Sequence, residues 1–204
     1  MDKNIKNVVF DLGGVLLNLD LQRTIDAFKE AGFEDVEKQI RAFNHQGIFQ
    51  QFEAGGITAE EFRNAIRENI QAPLTDEEID DYWSRMLLDI PCEKLKLILE
   101  LREKYMVYLL SNTNPIHWNH VCKHAFDYHS FRVEDYFEET YLSYEMHDAK
   151  PNKSIFEKML SEANLLPEET LFIDDSEANC QAAASLGIQV HHYRIGDDLK
   201  KIFE

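Results

Sequence analysis

Val8-Val9-Phe10-Asp11-Leu12-Gly13-Gly14-Val15 sets a short apolar run, a single acid and a paired-glycine turn close to the N-terminus. Such a run suits a buried strand that stops at Asp11 and gives way to a loop. Four similar runs follow. Met106 to Leu110 leads into Ser111, Thr140 to Ser143 precedes Lys150-Pro151, Leu171 to Ile173 leads into Asp174-Asp175, and Gln189 to His192 is the fifth. Between them lie helical patterns: Cys92 to Lys104, Ser154 to Ala163 behind a Ser154–Glu157 capping box, and the Ala-rich stretch Asn179 to Leu186 stopped by Gly187. Strands alternating with helices of this length imply a mostly parallel sheet covered on both faces. From about Leu21 to Leu88 nearly everything reads as helix. Thr58–Glu61 and Thr75–Glu78 form capping boxes ahead of two apolar stripes, one of Phe62, Ala65 and Ile66, the other of Ile79, Tyr82, Trp83, Met86 and Leu87. Gly55-Gly56 and Ala72-Pro73 break this block at its joints. It therefore reads as an insertion between the first two strands of an α/β domain.

Composition narrows the partners. The 21 Lys and Arg against 38 Asp and Glu give a formal charge of −17, so no basic face is expected for nucleic acid or an anionic membrane. No apolar run approaches the roughly 20 residues that span a bilayer. The start MDKNIKNVVF lacks the apolar stretch of a signal peptide. Cys92, Cys122 and Cys180 are odd in number and form no C-x-x-C pair, which points to reduced thiols and a cytoplasmic protein.

Ligands of such sheets bind beyond the carboxyl ends of the strands. Polar residues fall there four times: Asp11, Ser111-Asn112, Lys150-Pro151 and Asp174-Asp175. One acid after a strand is commonly a turn former, but three converging carboxylates repel unless a cation or proton sits between them. Hard oxygen ligands favour Mg²⁺, and a neighbouring lysine suits an anion, so the set suggests a metal-assisted phosphate site. The chain has neither G-x-x-x-x-G-K-[ST] nor G-x-G-x-x-G.

Val8 to Val15, Leu109-Leu-Ser-Asn112, Lys150-Pro151 and Phe172-Ile-Asp-Asp175 together resemble the four ordered motifs of the haloacid dehalogenase-like superfamily. The resemblance spans the chain and is closest to helical-cap phosphatases of the glucose-1-phosphate phosphatase type; the phosphatase domain of soluble epoxide hydrolases is also similar. It implies a Rossmann-like parallel core of residues 1–16 and 89–204, with an α-helical cap of residues 17–88. It implies Mg²⁺-dependent hydrolysis of a small phosphorylated metabolite, a sugar phosphate above all, by a monomer or homodimer. Carried over by position, Asp11 is the nucleophile that takes the phosphoryl group. Ser111 and the Asn112 backbone N–H hold phosphoryl oxygens, and Lys150 binds the same phosphate and keeps Asp11 ionised. Asp175 is the principal carboxylate on Mg²⁺, Asp174 a second or outer ligand, and the Gly13 carbonyl a further one.

The chain departs from the pattern at Gly13, where most such phosphatases have a second aspartate that protonates the leaving group. His45 or Glu53 of the cap is a candidate substitute, and His117 is placed to approach the substrate. The dehalogenase branch also lacks that aspartate but needs no metal, which leaves the Asp174-Asp175 pair without a use. A non-catalytic ligand-binding protein is the rival from outside enzymology. His117, His120 and His124, with His129 and Cys122 nearby, match no dependable zinc spacing and read as surface or packing residues. His191-His192 reads as structural, Phe43, Phe49 and Phe52 as cap core, and Asp197-Asp198 as a solvated helix cap.

Overall fold

A computed structural model of the chain describes residues 4–41, 47–70 and 73–204. Strands β1 (Asn7–Phe10), β2 (Met106–Ser111), β3 (Glu139–Leu142), β4 (Thr170–Asp174) and β5 (Gln189–His192) form one sheet in the order β3-β2-β1-β4-β5. Every neighbouring pair is parallel. β1 is central and wholly buried, which explains its unbroken apolar run. Its alternate side chains feed two layers. Val8 and Phe10 join Val107, Leu109, Leu171 and Ile173 on one face, while Val9 joins Tyr108, Leu110 and Phe172 on the other.

Between β1 and β2 come α1 (Leu21–Glu30), α2 (Val36–Arg41), α3 (Ile48–Glu53), α4 (Ala59–Ile70) and α5 (Asp76–Ser84), then α6 (Cys92–Arg102) on the sheet. The first five surround an apolar cluster of their own that includes Ile25, Phe28, Phe49, Phe52, Phe62, Ile66, Ile79 and Trp83. Phe52 stacks on Phe62 at 4.4 Å between ring centroids. Burying a side chain of this size contributes about 1.5–3 kcal/mol, so the insert has a core that does not depend on the sheet alone. Its two connections run side by side: Asn18 N donates to Asp89 O (3.0 Å), Leu88 N to Asn18 O (3.0 Å) and Asp20 N to Met86 O (2.8 Å). Both expected capping boxes form. Thr75 N donates to Glu78 Oε2 at 2.8 Å and Glu78 N to Thr75 Oγ1 at 3.2 Å, with the same exchange between Thr58 and Glu61.

The rest of the chain supplies α7 (Pro115–His124), α8 (Val133–Tyr136), α9 (Ser143–Met146), α10 (Lys153–Glu162) and α11 (Glu177–Ala184). Helices α6, α7 and α8 cover one face through Leu95, Ile98, Val121 and Tyr136. The other face is covered by α9, α10 and α11 through Met146, Ile155, Phe156 and Ala183. Three local expectations are corrected. Ser154 does not cap α10: the helix starts a residue earlier behind Asn152, and the Ser154 hydroxyl donates to Asp148 instead. Ser143 is not the last residue of β3 but the first of α9, so its hydroxyl turns toward the insert. Helix α11 begins at Glu177, ahead of Asn179, because Ser176 accepts from Asn179 N and starts the helix there. Asp198 caps the last turn as expected, accepting from Lys200 N at 3.0 Å. Among the described residues no helix is long and apolar enough to cross a membrane.

Candidate active site

The register of the three central strands fixes the site. Phe10 lies beside Leu109 on one side and Ile173 on the other, so Asp11 comes level with Leu110 and Asp174 at the carboxyl edge. Asp11 N donates to Ile173 O at 2.9 Å, extending the ladder one step beyond the strand. Lys150 enters from the loop before α10. Its side chain is 1% exposed, and Nζ lies 2.8 Å from Asp11 Oδ1, 2.7 Å from Asp174 Oδ2 and 2.8 Å from the Leu110 carbonyl. A three-donor ammonium is thereby fully used.

The backbone of Lys150 is held as firmly as its side chain. Asn112 Nδ2 donates to Lys150 O and Lys150 N donates to Asn112 Oδ1, both at 2.9 Å. The sequence assigns Asn112 only a backbone role; its carboxamide is the clamp that aims the lysine. Asn179 is a site residue that the sequence motifs do not point to. Its Nδ2 lies 3.0 Å from both Asp174 oxygens, and Ser176 N donates to Asp174 Oδ1 at 2.8 Å. The available signal was an amide five residues past Asp174, in the first turn of an otherwise Ala-rich helix.

Asp11, Asp174 and Asp175 each offer a carboxylate oxygen, all within 4.8 Å of one another. Among the described residues no other trio of His, Cys, Asp or Glu converges this way. Asp174 is fully buried and its oxygens are already taken by Lys150, Asn179 and Ser176, whereas Asp175 is only half-buried. Asp175 reaches the group because Gly14 has no side chain: a Cβ there would sit 2.3 Å from Asp175 Oδ2, and φ of +79° favours glycine. Burial pushes the Asp11 carboxyl up to about 7; Lys150 pulls it down, and Asp174 and Asp175 add to the rise. Burial, reinforced by Asp174, also raises Asp175. Burial opposes the charge on Lys150, yet Asp11 and Asp174 outweigh it and hold the ammonium above its ordinary range. Three clustered hard oxygens, those of Asp11 and Asp175 with raised proton affinity, fit a small divalent cation that prefers oxygen ligands.

A cleft of about 520 Å³ opens between this edge and the insert, walled by Leu12, Gly13, Ser111, Asn112 and Thr113 below and by Leu19, Glu53, Trp83 and Met86 above. Ser111 is buried, and its hydroxyl has only a 3.5 Å contact with the Asn112 carbonyl. Burial pushes the Glu53 carboxyl up to about 8. His117 also lines the cleft and is buried, a packing histidine rather than a surface one. Its ring stacks on Trp83 at 4.5 Å, Nε2 donates to Trp83 O at 3.0 Å, and burial lowers its pKa to about 4. His120 and His124 face each other at 4.8 Å, away from the cleft wall. His192 Nε2 lies 3.0 Å from the Asp175 carbonyl, the structural place expected of that pair. His45 and Phe43 lie outside the described residues.

A helical insert directly after the first strand, set over an acid–lysine cluster at the edge of a parallel sheet, defines a class. The chain belongs to the haloacid dehalogenase-like hydrolases, whose family model matches residues 5–187. Over 197 residues it is 36% identical to the D-ribitol-5-phosphate phosphatase of Bacteroides thetaiotaomicron, covering 97% of this chain and 96% of that one. A HAD family enzyme of Bacteroides thetaiotaomicron, solved in complex with magnesium and inorganic phosphate, is 53% identical with a TM-score of 0.94, covering 98% of this chain and all of the other. A HAD-like family hydrolase of Porphyromonas gingivalis is 36% identical with a TM-score of 0.90, covering 98% and 96% of the two chains.

Proposed function

We propose that this protein is a Mg²⁺-dependent phosphatase of small phosphate monoesters, sugar or sugar-alcohol phosphates in particular, acting through an aspartyl-phosphate on Asp11. The observation that carries this reading is the buried Lys150 ammonium shared by Asp11 and Asp174, with Lys150 clamped to Asn112 and Asp11 followed by Leu12-Gly13, all three of which line the cleft. It suits a phosphoryl group approaching Asp11. Relatives named as a sugar-alcohol phosphatase and solved with magnesium and phosphate support it.

Asp11, Asp175 and the Gly13 carbonyl would hold Mg²⁺, with Asp174 behind them as the acceptor that fixes Lys150. When bound, the ion supplies positive charge against the repulsion between Asp11 and a phosphate dianion. Asp11 attacks phosphorus, and splitting the transfer into two steps leaves a labile acyl phosphate for water. The Ser111 hydroxyl and the Asn112 N–H orient the phosphoryl oxygens, and the Lys150 charge beside Asp11 stabilises the charge spread over them. Residues 17–88 act as the cap, which selects the substrate and excludes bulk water.

The test is phosphate release from D-ribitol 5-phosphate and p-nitrophenyl phosphate by wild type and Asp11→Asn, with Mg²⁺ and with EDTA. Release is expected only from the wild type with Mg²⁺. No release from either compound, with Mg²⁺ binding intact, would establish the non-catalytic reading instead.

A further inference from the structure

We infer that Glu53, carried into the cleft by the insert, is the general acid and base of this reaction, doing the work for which Gly13 has no side chain. The inference rests on the phosphatase reading above. Among the described residues that wall the cleft, Glu53 and His117 are the only ones with an ionisable side chain that can exchange a proton near neutrality. His117 has nothing to give: its ring is neutral and its Nε2–H is committed to the Trp83 carbonyl. Glu53 keeps its proton at neutral pH, because the cleft wall that surrounds it disfavours the carboxylate.

Its placement comes from the core as much as from the insert. Ser143, fully buried as the first residue of α9, accepts from Thr113 N at 2.9 Å and donates to the Glu53 carbonyl at 2.6 Å. Thr113 lies two residues beyond Ser111, so this hydroxyl ties the end of α3 to the segment that cradles the phosphate. The corner that follows is pressed onto α9: a Cβ on Gly55 would sit 2.1 Å from the Tyr144 carbonyl, and its φ is +67°. Glu53 is thus held at a fixed point of the wall rather than on a free loop. Trp83 of α5, a helix that also carries Asp76, Glu77, Glu78, Asp80, Asp81 and Tyr82, lies 4.9 Å from Phe49 of α3 between ring centroids, and α3 packs further on α4 and α9. The charged or titratable groups they bring are Glu60, Glu61, Arg63, Arg67 and Glu68, then Tyr144 and Glu145, with His147 just beyond and His117 across the cleft. Among the described residues none of these pairs with the Glu53 carboxyl, and burial is the sole cause of its raised proton affinity.

The step balances. As an Asp11 oxygen bonds to phosphorus, the bond from phosphorus to the ester oxygen breaks, and that oxygen leaves with the electron pair and takes the Glu53 proton. The products are the aspartyl-phosphate, a neutral alcohol and the Glu53 carboxylate. Water then attacks phosphorus and gives a proton to Glu53, while the bond to Asp11 breaks and its electrons return to the Asp11 carboxylate. Inorganic phosphate leaves and both groups are restored.

The test compares wild type, Glu53→Gln and Glu53→Asp on β-glycerophosphate, whose alkoxide is a poor leaving group, and p-nitrophenyl phosphate, whose phenolate needs no proton. For Glu53→Gln, kcat/KM on β-glycerophosphate is expected to fall about 10²–10⁴-fold, and on p-nitrophenyl phosphate less than ~10-fold. The wild-type fall in kcat/KM above a pH of about 8 on β-glycerophosphate disappears in that variant. Glu53→Asp recovers part of the loss. Equal losses on both substrates, or none, with the variant folded by circular dichroism, overturn the role of Glu53 and leave the phosphatase reading standing. A wild type inert toward both compounds overturns the two together.

Discussion

Lys150→Met removes one ammonium and keeps nearly the same bulk, which makes it a clean probe of the site's electrostatics. The lysine side chain is 1% exposed, and its carboxylate partners Asp11 and Asp174 are 12% and 0% exposed. Breaking a buried ion pair from one side typically costs about 3–5 kcal/mol, because the charge left behind is neither solvated nor paired. Here the orphaned groups keep some donors: Leu12 N on Asp11, and Ser176 N with Asn179 Nδ2 on Asp174. Asp11, already pushed to about 7 by burial, also escapes part of the penalty by taking a proton. The expected loss is therefore at the low end, about 3 kcal/mol at neutral pH without metal. For a chain of this length that corresponds to a fall in Tm of about 6–12 °C. Urea denaturation and calorimetry in EDTA measure it directly. Repeating both with saturating Mg²⁺ sharpens the test, since a divalent ion substitutes for part of the missing charge and the gap between variant and wild type narrows. A loss below about 1 kcal/mol in EDTA, or a gap indifferent to Mg²⁺, would show that Lys150 is not the buried counter-ion of these acids.

Stability should also fall as pH drops from 6.5 toward about 4, since the unfolded His117 takes a proton that the folded one refuses. The full window amounts to about 3 kcal/mol, and His117→Asn should lose that part of the pH slope in urea titrations. Gly14→Ala places a Cβ against Asp175 Oδ2 at a positive φ, so strain of about 1–3 kcal/mol and weaker Mg²⁺ binding by calorimetry are expected. Wild-type affinity in that variant would remove Asp175 as the principal ligand. Gly13→Asp is sterically affordable, because its Cβ meets only Leu19 Cδ1 at 3.0 Å and Leu19 is 43% exposed and free to swing. In a Glu53→Gln background it should raise kcat/KM on β-glycerophosphate by ~10-fold or more; no gain would mean that no acid is wanted at that position.

What the sequence reveals and what it hides divide along physical lines. β1 and β4 are legible because strands buried on both faces must be apolar throughout, and their ends are legible because Asp11 and Asp174 stop the runs. The Thr75–Glu78 box is legible because it is satisfied within a single turn. Ser154–Glu157 has the same pattern, but a competing acceptor, Asp148, lies within reach once the loop folds back, and it wins the hydroxyl. His117, His120 and His124 share a helical face by spacing, yet which of them is buried depends on where Trp83 packs, and Trp83 belongs to another element. Asn112 and Asn179 show the same limit. Each works by gripping a residue far along the chain or in the next element, and an amide's partner is invisible until the topology brings it near.

Among the described residues three attachments fasten the insert to the core, and their strengths bear on how substrate enters. The paired connections at residues 18–20 and 86–89 hold it by backbone hydrogen bonds that any hinge rotation would retain. Across the cleft there are two more bonds, from Ser143 to the Glu53 carbonyl and from His117 to the Trp83 carbonyl. Ile116, beside His117 on α7, is itself part of the insert's apolar cluster. Opening must break both bonds and wet Ile116 and Trp83. Each bond contributes a net ~1 kcal/mol once its groups can turn to water instead. Partial exposure of the two apolar side chains adds a cost of the same order. A total of about 3 kcal/mol holds the open form near one molecule in a hundred. Closure therefore needs no large contribution from the substrate. What a bound phosphate ester must supply is its fit to the polar floor, and the same two bonds that shut the cleft set Glu53 and His117 at their places in its wall.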